Sequence, residues 1–316
     1  MKRSDNLGFR LGTGLFGLVL ILLVVAIGVE LFRQSTLSIE KFGFRFWRTQ
    51  TWDPVAGEFG ALPFIWGTLY SSMLALLMAT PISLGIAVFI SELCPNRVKP
   101  ALAFLTELLA AIPSIVYGIW GIFVLVPAVR WFETSTPAAV KSLPFFSGPP
   151  FGLGMLAAAL ILAVMVIPFT SSVAREVLKS VPITQREGAY ALGATRFEAI
   201  TAALYYARTG IVGAVLLGFG RALGETMAVT MVIGNSPKVS LSLFAPQYTM
   251  AAVLANEFSE AAEPLYLNAL IEIGLVLFVI TLVVNALSRL LIWSMARSAR
   301  TPVPMPAVVP AEESAA

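Results

Sequence analysis

The chain alternates long apolar runs with shorter polar ones. The apolar runs fall at about 11–32, 63–90, 101–126, 151–171, 211–233 and 267–293. A helix needs about 20 predominantly apolar residues to cross the hydrocarbon of a bilayer. Each run therefore predicts a spanning helix, and the predicted fold class is all-α, a polytopic membrane protein with six transmembrane helices. The first run follows Lys2, Arg3 and Arg10. It is longer than the roughly 7–15-residue apolar core of a cleaved signal peptide, so it reads as an uncleaved span. Thr80-Pro81 predicts a kink or break in the second span, and Pro113 with Ser114 a helix break in the third.

The polar stretches differ in kind. Residues 33–62 are charged and aromatic, which suits a segment at the membrane interface. Residues 130–150 read as a loop containing Pro and Ser. The longest hydrophilic stretch, 173–210, carries mixed charge on a helical pattern, with Thr184 as a candidate cap, Glu187 three residues on, and Gly193 as a turn between two helical pieces. Within 236–266, Thr249 to Glu260 predicts a short re-entrant or surface helix. Residues 1–10 read as a cytoplasmic N-terminus, 11–300 as the transmembrane domain, and 301–316 as a disordered cytoplasmic tail rich in Pro and Ala.

Composition agrees with this picture. The 316 residues are 58% hydrophobic and 12% charged, against about 25% charged in a soluble domain. The net charge of +3 reflects loop bias, not nucleic-acid binding. Of the 21 Lys and Arg residues, 13 fall on the side that holds both termini and 7 on the other, which predicts cytoplasmic termini. There is no histidine and only one cysteine, Cys94. Histidine acid–base chemistry, Cys/His zinc sites and an intrachain disulfide are thereby excluded.

Against this apolar background Arg221 and Glu225 stand inside the fifth run. Such a charge costs roughly 2.5–3.5 kcal/mol at the centre of a spanning helix on insertion scales. In an unbroken helix a spacing of four places the two on one face, where they can pair. Gly220 and Gly224 share that spacing and predict close approach of a neighbouring helix. A structural ion pair and an anion path with a paired arginine both fit. Glu107, by contrast, reads as a residue near the cytoplasmic interface. Gly218-Phe219-Gly220 with Gly224 follows no strand and does not make a dinucleotide loop, and no Walker A pattern occurs.

Two sets of motifs carry a resemblance. Glu187-Gly188-Ala189 with Gly193 resembles the "EAA" loop of bacterial ABC importer permeases, with Gly188 where the family usually has Ala. Glu107–Gly118 (ELLAAIPSIVYG), Arg221–Thr230 (RALGETMAVT) with Ile233-Gly234-Asn235, and Ser242–Pro246 with Ala255–Phe258 resemble, in order, the PstC-type phosphate importer permeases. The resemblance implies a type I importer permease (MetI-like) fold. It also implies a heterodimer with an A-type permease subunit, a dimer of separate ABC ATPase chains, and an extracytoplasmic phosphate-binding protein. It implies that Glu187, Gly188, Ala189 and Gly193 couple to the ATPase, and that Arg221 and Glu225 lie on the phosphate path. The expected function is phosphate import across the bacterial inner membrane, with no catalysis and no cofactor on this chain, since ATP is bound by the partner. Import of sulfate or molybdate, the A-type subunit, an intramembrane enzyme and a passive channel are the alternatives.

Overall fold

The computed structural model of the chain describes residues 5–298. The first four residues and the expected tail at 301–316 lie outside them. The described residues form helices and no strand, with only two isolated bridges in loops. In chain order the helices are α1 (Asp5–Gln34), α2 (Thr36–Phe42), α3 (Leu62–Val88), α4 (Lys99–Ala110), α5 (Ser114–Trp120), α6 (Val126–Ser135), α7 (Ala138–Lys141), α8 (Met155–Lys179), α9 (Ile183–Ala191), α10 (Arg196–Leu223), α11 (Met227–Val232), α12 (Met250–Glu257) and α13 (Pro264–Ser298). π-helical turns at Phe89–Leu93 and Gly121–Leu125 extend α3 and join α5 to α6.

Among the described residues six segments are long and apolar enough to cross a membrane: Phe9–Gln34, Leu62–Leu93, Ser114–Ser135, Met155–Lys179, Arg196–Leu223 and Pro264–Met295. The helix α8 is the centre of the bundle and packs on α3, α10, α4 and α11. Lipid is as apolar as leucine, so helices in a membrane associate through close packing of small residues. The α3–α8 seam accordingly buries Ala75, Ala79, Ala157 and Ala158, and the α8–α10 seam Ala174, Ala203, Ala207 and Ala214. Gly210 seats Val177, and Gly218 seats Thr170 and Val166. Beside the start of α13, residues 42–64 fold into an aromatic cap in which Trp52 packs against Phe59 and Phe64.

Several expected boundaries move. The third span is not one helix from 101 to 126. It is interrupted at 111–113, and the spanning piece is Ser114–Ser135, so the first six residues of the loop expected at 130–150 are helix. Pro113 has no N–H for the Leu109 carbonyl, which takes the Tyr117 hydroxyl at 2.8 Å instead. Pro81, by contrast, does not break α3, which continues through it. The Thr80 and Ser83 hydroxyls donate to Leu76 and Ala79 carbonyls, each at 2.7 Å, and Ser83 also reaches Ile167 on α8 at 3.3 Å. None of these bonds reaches the Leu77 carbonyl that Pro81 leaves without its N–H, so what accompanies the proline here is the close packing of α8 along α3. The stretch 173–210 contains the last turns of α8, the separate helix α9 and the start of α10. Its capping box is not at Thr184. It is Thr195 with Glu198, where Glu198 Oε2 accepts from the Thr195 N–H at 2.7 Å.

Candidate functional site

The fifth apolar run is two helices. α10 ends at Leu223, Gly224–Thr226 are not helical, and α11 resumes at Met227. The break falls between the two charged residues, so the helical spacing that would have put Arg221 and Glu225 on one face does not exist. No carboxylate among the described residues comes within 4.0 Å of the Arg221 guanidinium. Arg221 sits in the last turn of α10, and Glu225 lies just ahead of α11, its Oε1 accepting from the Ala228 N–H at 3.4 Å. A cation at a helix C-terminus and an anion at an N-terminus are each favoured by the helix dipole, by about 0.3–1 kcal/mol. Each charge is therefore matched to its own helix end and does not need the other.

The second break, at 111–113, lies beside the first because α5 packs on α11. The contact is closest at Gly118, where an added Cβ would stand 2.5 Å from Met231 Sδ and 3.1 Å from Ala228 Cα. Gly121 likewise seats Val232. These glycines, and not Gly220 or Gly224, admit the neighbouring helix; Gly220 and Gly224 meet nothing nearer than 3.8 Å. Pro113 is exposed at the mouth of α5, and Ser114, half-buried, is its first residue. Tyr117, one turn on, is near enough for the Arg221 charge to act on its hydroxyl. Phe169 of α8 offers its ring to the guanidinium at 5.4 Å. Arg221 is half-buried, and its Nε is out of solvent with no hydrogen-bond partner. Two interrupted helices thus present a permanent cation with an unused donor at the depth of the spans.

Residues 83–297 match the model of a family described as binding-protein-dependent transport system inner membrane component. The chain is 48% identical over 295 residues to the phosphate transport system permease protein PstC of Haemophilus influenzae, covering 91% of this chain and 93% of that one. It is 46% identical over 292 residues to PstC of Pasteurella multocida, covering 90% of each. It is 43% identical over 289 residues to PstC of Mesorhizobium japonicum, covering 89% and 88%. The chain is a PstC-type member of this inner-membrane transport family. An inward-facing MetNI methionine ABC transporter structure shares the fold, with TM-score 0.55 and 15% identity over 73% of this chain and 94% of that one.

In this permease the "EAA"-like residues lie on α9 and the turn after it. Glu187, Gly188 and Gly193 are exposed and Ala189 is half-buried. Gly193 adopts φ +82°, a left-handed conformation that favours glycine, and it ends the helix with open space around it. Large apolar side chains stand out beside these residues: Leu192 is 91% exposed, and Ile183, Phe197 and Tyr205 are also exposed.

Two ion pairs near this end were not legible in the sequence. Glu107, read from the sequence as near the cytoplasmic interface, has a partner. Arg175, buried on α8, gives Nη2 to Glu107 Oε1 at 2.6 Å and to Glu176 Oε1 at 2.8 Å. Arg186 on α9 forks onto Glu92, with Nη2 to Oε1 at 2.6 Å and Nε to Oε2 at 3.2 Å. The partners are 68 and 94 residues apart in the chain, beyond any local pattern.

Proposed function

We propose that this permease is the transmembrane subunit of an ATP-driven importer that passes inorganic phosphate inward from an extracytoplasmic binding protein by alternating access. The observation that carries the reading is Arg221, a half-buried guanidinium at two adjoining helix breaks with no carboxylate among the described residues within 4.0 Å to neutralise it. Its planar fork matches two oxygens of a phosphate, and charged hydrogen bonds of that kind are the strong ones. The PstC likeness selects phosphate among oxyanions that would satisfy the same fork. Glu225, close in sequence but engaged with α11, supplies an acceptor for a phosphate hydroxyl, which sulfate lacks at neutral pH.

The remaining assignments follow from the same reading. α9 and its exposed apolar neighbours form the surface for the ABC ATPase dimer, with Glu187, Gly188, Ala189 and Gly193 in contact. ATP is bound and hydrolysed there, not on this chain. α4, with Phe104 and Leu108 exposed, and the third span, with Ile115, Ile119 and Phe123 exposed, face the A-type permease subunit of a heterodimer. Both termini lie in the cytoplasm, on the side richer in Lys and Arg.

The test is labelled-phosphate uptake into vesicles rebuilt with this chain, the A-type subunit, the ATPase and the binding protein. Uptake that requires ATP and is unaffected by excess sulfate or molybdate is expected. Equal competition by sulfate or molybdate would reassign the solute, and uptake independent of ATP would indicate a channel.

A further inference from the structure

We infer that the Glu92–Arg186 pair is the joint through which α9 moves the second span, so that it positions the transport machinery without touching the solute. The inference rests on the reading of α9 as the ATPase-facing helix.

The geometry is that of a fastener. Arg186 points inward from α9, whereas Ile183, Gln185, Glu187, Tyr190 and Leu192 are exposed. Its guanidinium uses every nitrogen. Nε and Nη2 clasp the two oxygens of Glu92, Nη1 donates to the Val181 carbonyl at 3.0 Å, and Nη2 donates also to the Leu178 carbonyl at 3.1 Å. Leu178 is in the last turn of α8 and Val181 in the turn after it. Glu92 lies in the π-helical turn Phe89–Leu93 that ends the second span. The backbone there is held as well, since Arg196, the first residue of α10, donates to the Glu92 carbonyl at 2.8 Å, and Lys99 donates to the Ser91 carbonyl at 2.6 Å. One residue of the docking helix therefore meets the ends of the second and fourth spans at once.

The pair is withdrawn from water, with the Arg186 side chain 21% and the Glu92 side chain 12% exposed. Screening is weak at that depth, and the planar fork fixes direction as well as distance. A π-helical turn at the receiving end suits motion, because its backbone hydrogen bonds are already off the α-helical register and such turns cluster at functional positions. A push on α9 is thus delivered to the second span through side-chain bonds instead of through the short turn at 180–182.

The test uses the full complex in vesicles, measuring both ATP hydrolysis and phosphate moved per ATP. In Glu92→Gln the complex is expected to copurify in normal yield and to hydrolyse ATP. Phosphate moved per ATP should fall about tenfold, the factor that one lost charged hydrogen bond carries. Arg186→Lys keeps the charge and loses the fork, so it should fall less. The Glu92→Gln/Arg186→Gln double variant should be no worse than the worse single variant, because the two residues act as a unit. An unchanged ratio in both single variants would overturn the proposal. If Glu92→Gln does not assemble, the decision passes to Arg186→Lys and Glu92→Asp. A lowered ratio with normal ATP hydrolysis there supports the joint; an unchanged ratio, or loss of assembly in these too, overturns it by making the pair purely structural. Failure of the phosphate reading would appear separately, as wild-type vesicles that take up no phosphate.

Discussion

Replacing Arg221 by glutamine separates a path residue from a packing residue, and Arg175 is the internal control. Arg221 has no carboxylate partner among the described residues to strand. Its loss forfeits a favourable charge at the end of α10, about 0.3–1 kcal/mol, and a contact over the Phe169 ring at 5.4 Å that is worth about 0.5–1 kcal/mol. The fold should give up no more than about 2 kcal/mol, and the complex should still assemble. The bound anion, however, loses a charged donor fork worth about 1.5–3 kcal/mol for each hydrogen bond. Glutamine keeps one amide donor, so the net loss is one charged bond, which corresponds to a fall in phosphate uptake of about tenfold to a hundredfold. Arg221→Lys, which keeps charge but not the fork, should fall between. Arg175→Gln should behave in the opposite way. It leaves Glu107 and Glu176 facing one another around a buried site, although both carboxylates are more than half exposed and water recovers part of the loss. About 2 kcal/mol is expected from stability and assembly, with uptake per assembled complex little changed. The assays are yield and thermal melting of the purified complex beside initial rates of labelled-phosphate uptake. Wild-type uptake by Arg221→Gln, or its absence from the membrane when Arg175→Gln accumulates normally, would refute the reasoning.

Three further outcomes follow from the same geometry. Gly118→Val pushes a side chain into Met231 and Ala228 and should destabilise the α5–α11 contact by about 1–3 kcal/mol, read as a lower melting temperature; an unchanged melt would mean that the two helices do not meet there. Gly188→Ala and Gly193→Ala should part company. Gly188 has open space and lies within α9, so alanine should stabilise that helix by about 0.8–1 kcal/mol. At Gly193, φ +82° makes alanine cost about 1–2 kcal/mol, which should weaken ATPase copurification; similar behaviour of the two variants would contradict the turn. Glu225→Gln, which keeps an acceptor oxygen for α11, should retain more uptake than Glu225→Ala; the reverse order would mean that the carboxylate acts chiefly as a competing charge.

The spans were legible because apolar run length is set by the bilayer and not by the fold. What failed to show was where a run stops being helical. Hydropathy continues unbroken through Ala222-Leu223-Gly224 and again through Met227-Ala228-Val229. The interruption at Gly224–Thr226 is set by packing, since α11 must follow α5 at Gly118 and Gly121. The pairing inferred for Arg221 and Glu225 was sound for an unbroken helix and failed with that premise. Pro81 and Pro113 look alike in sequence, yet only the second interrupts a helix. α3 continues through Pro81 against its α8 neighbour, whereas at Pro113 the chain leaves the helix and the Tyr117 hydroxyl meets the Leu109 carbonyl. Arg186, within the loop already singled out, had no visible partner because Glu92 belongs to another span.

Separation of Arg221 from Glu225 changes the logic of selectivity. Were the two paired at rest, an incoming anion would first have to displace a carboxylate, and the difference between solutes would lie in how well each did so. On the proposed reading of Arg221 as the residue that meets the solute, no carboxylate has to be displaced, and any tetrahedral oxyanion of the right size meets the guanidinium equally well. Discrimination must then come from groups that respond to a hydroxyl on the solute. Near the break these are the Glu225 carboxylate, whose second oxygen is not used by Ala228, and the Tyr117 hydroxyl, whose proton is already given to the Leu109 carbonyl. An oxygen that has spent its proton can only accept. An acceptor beside a cation favours an anion that still carries a proton, and phosphate carries one at neutral pH where sulfate does not. The helix break at Pro113 thus reaches the chemistry of the site, because the carbonyl it leaves open is what fixes the direction of the Tyr117 proton.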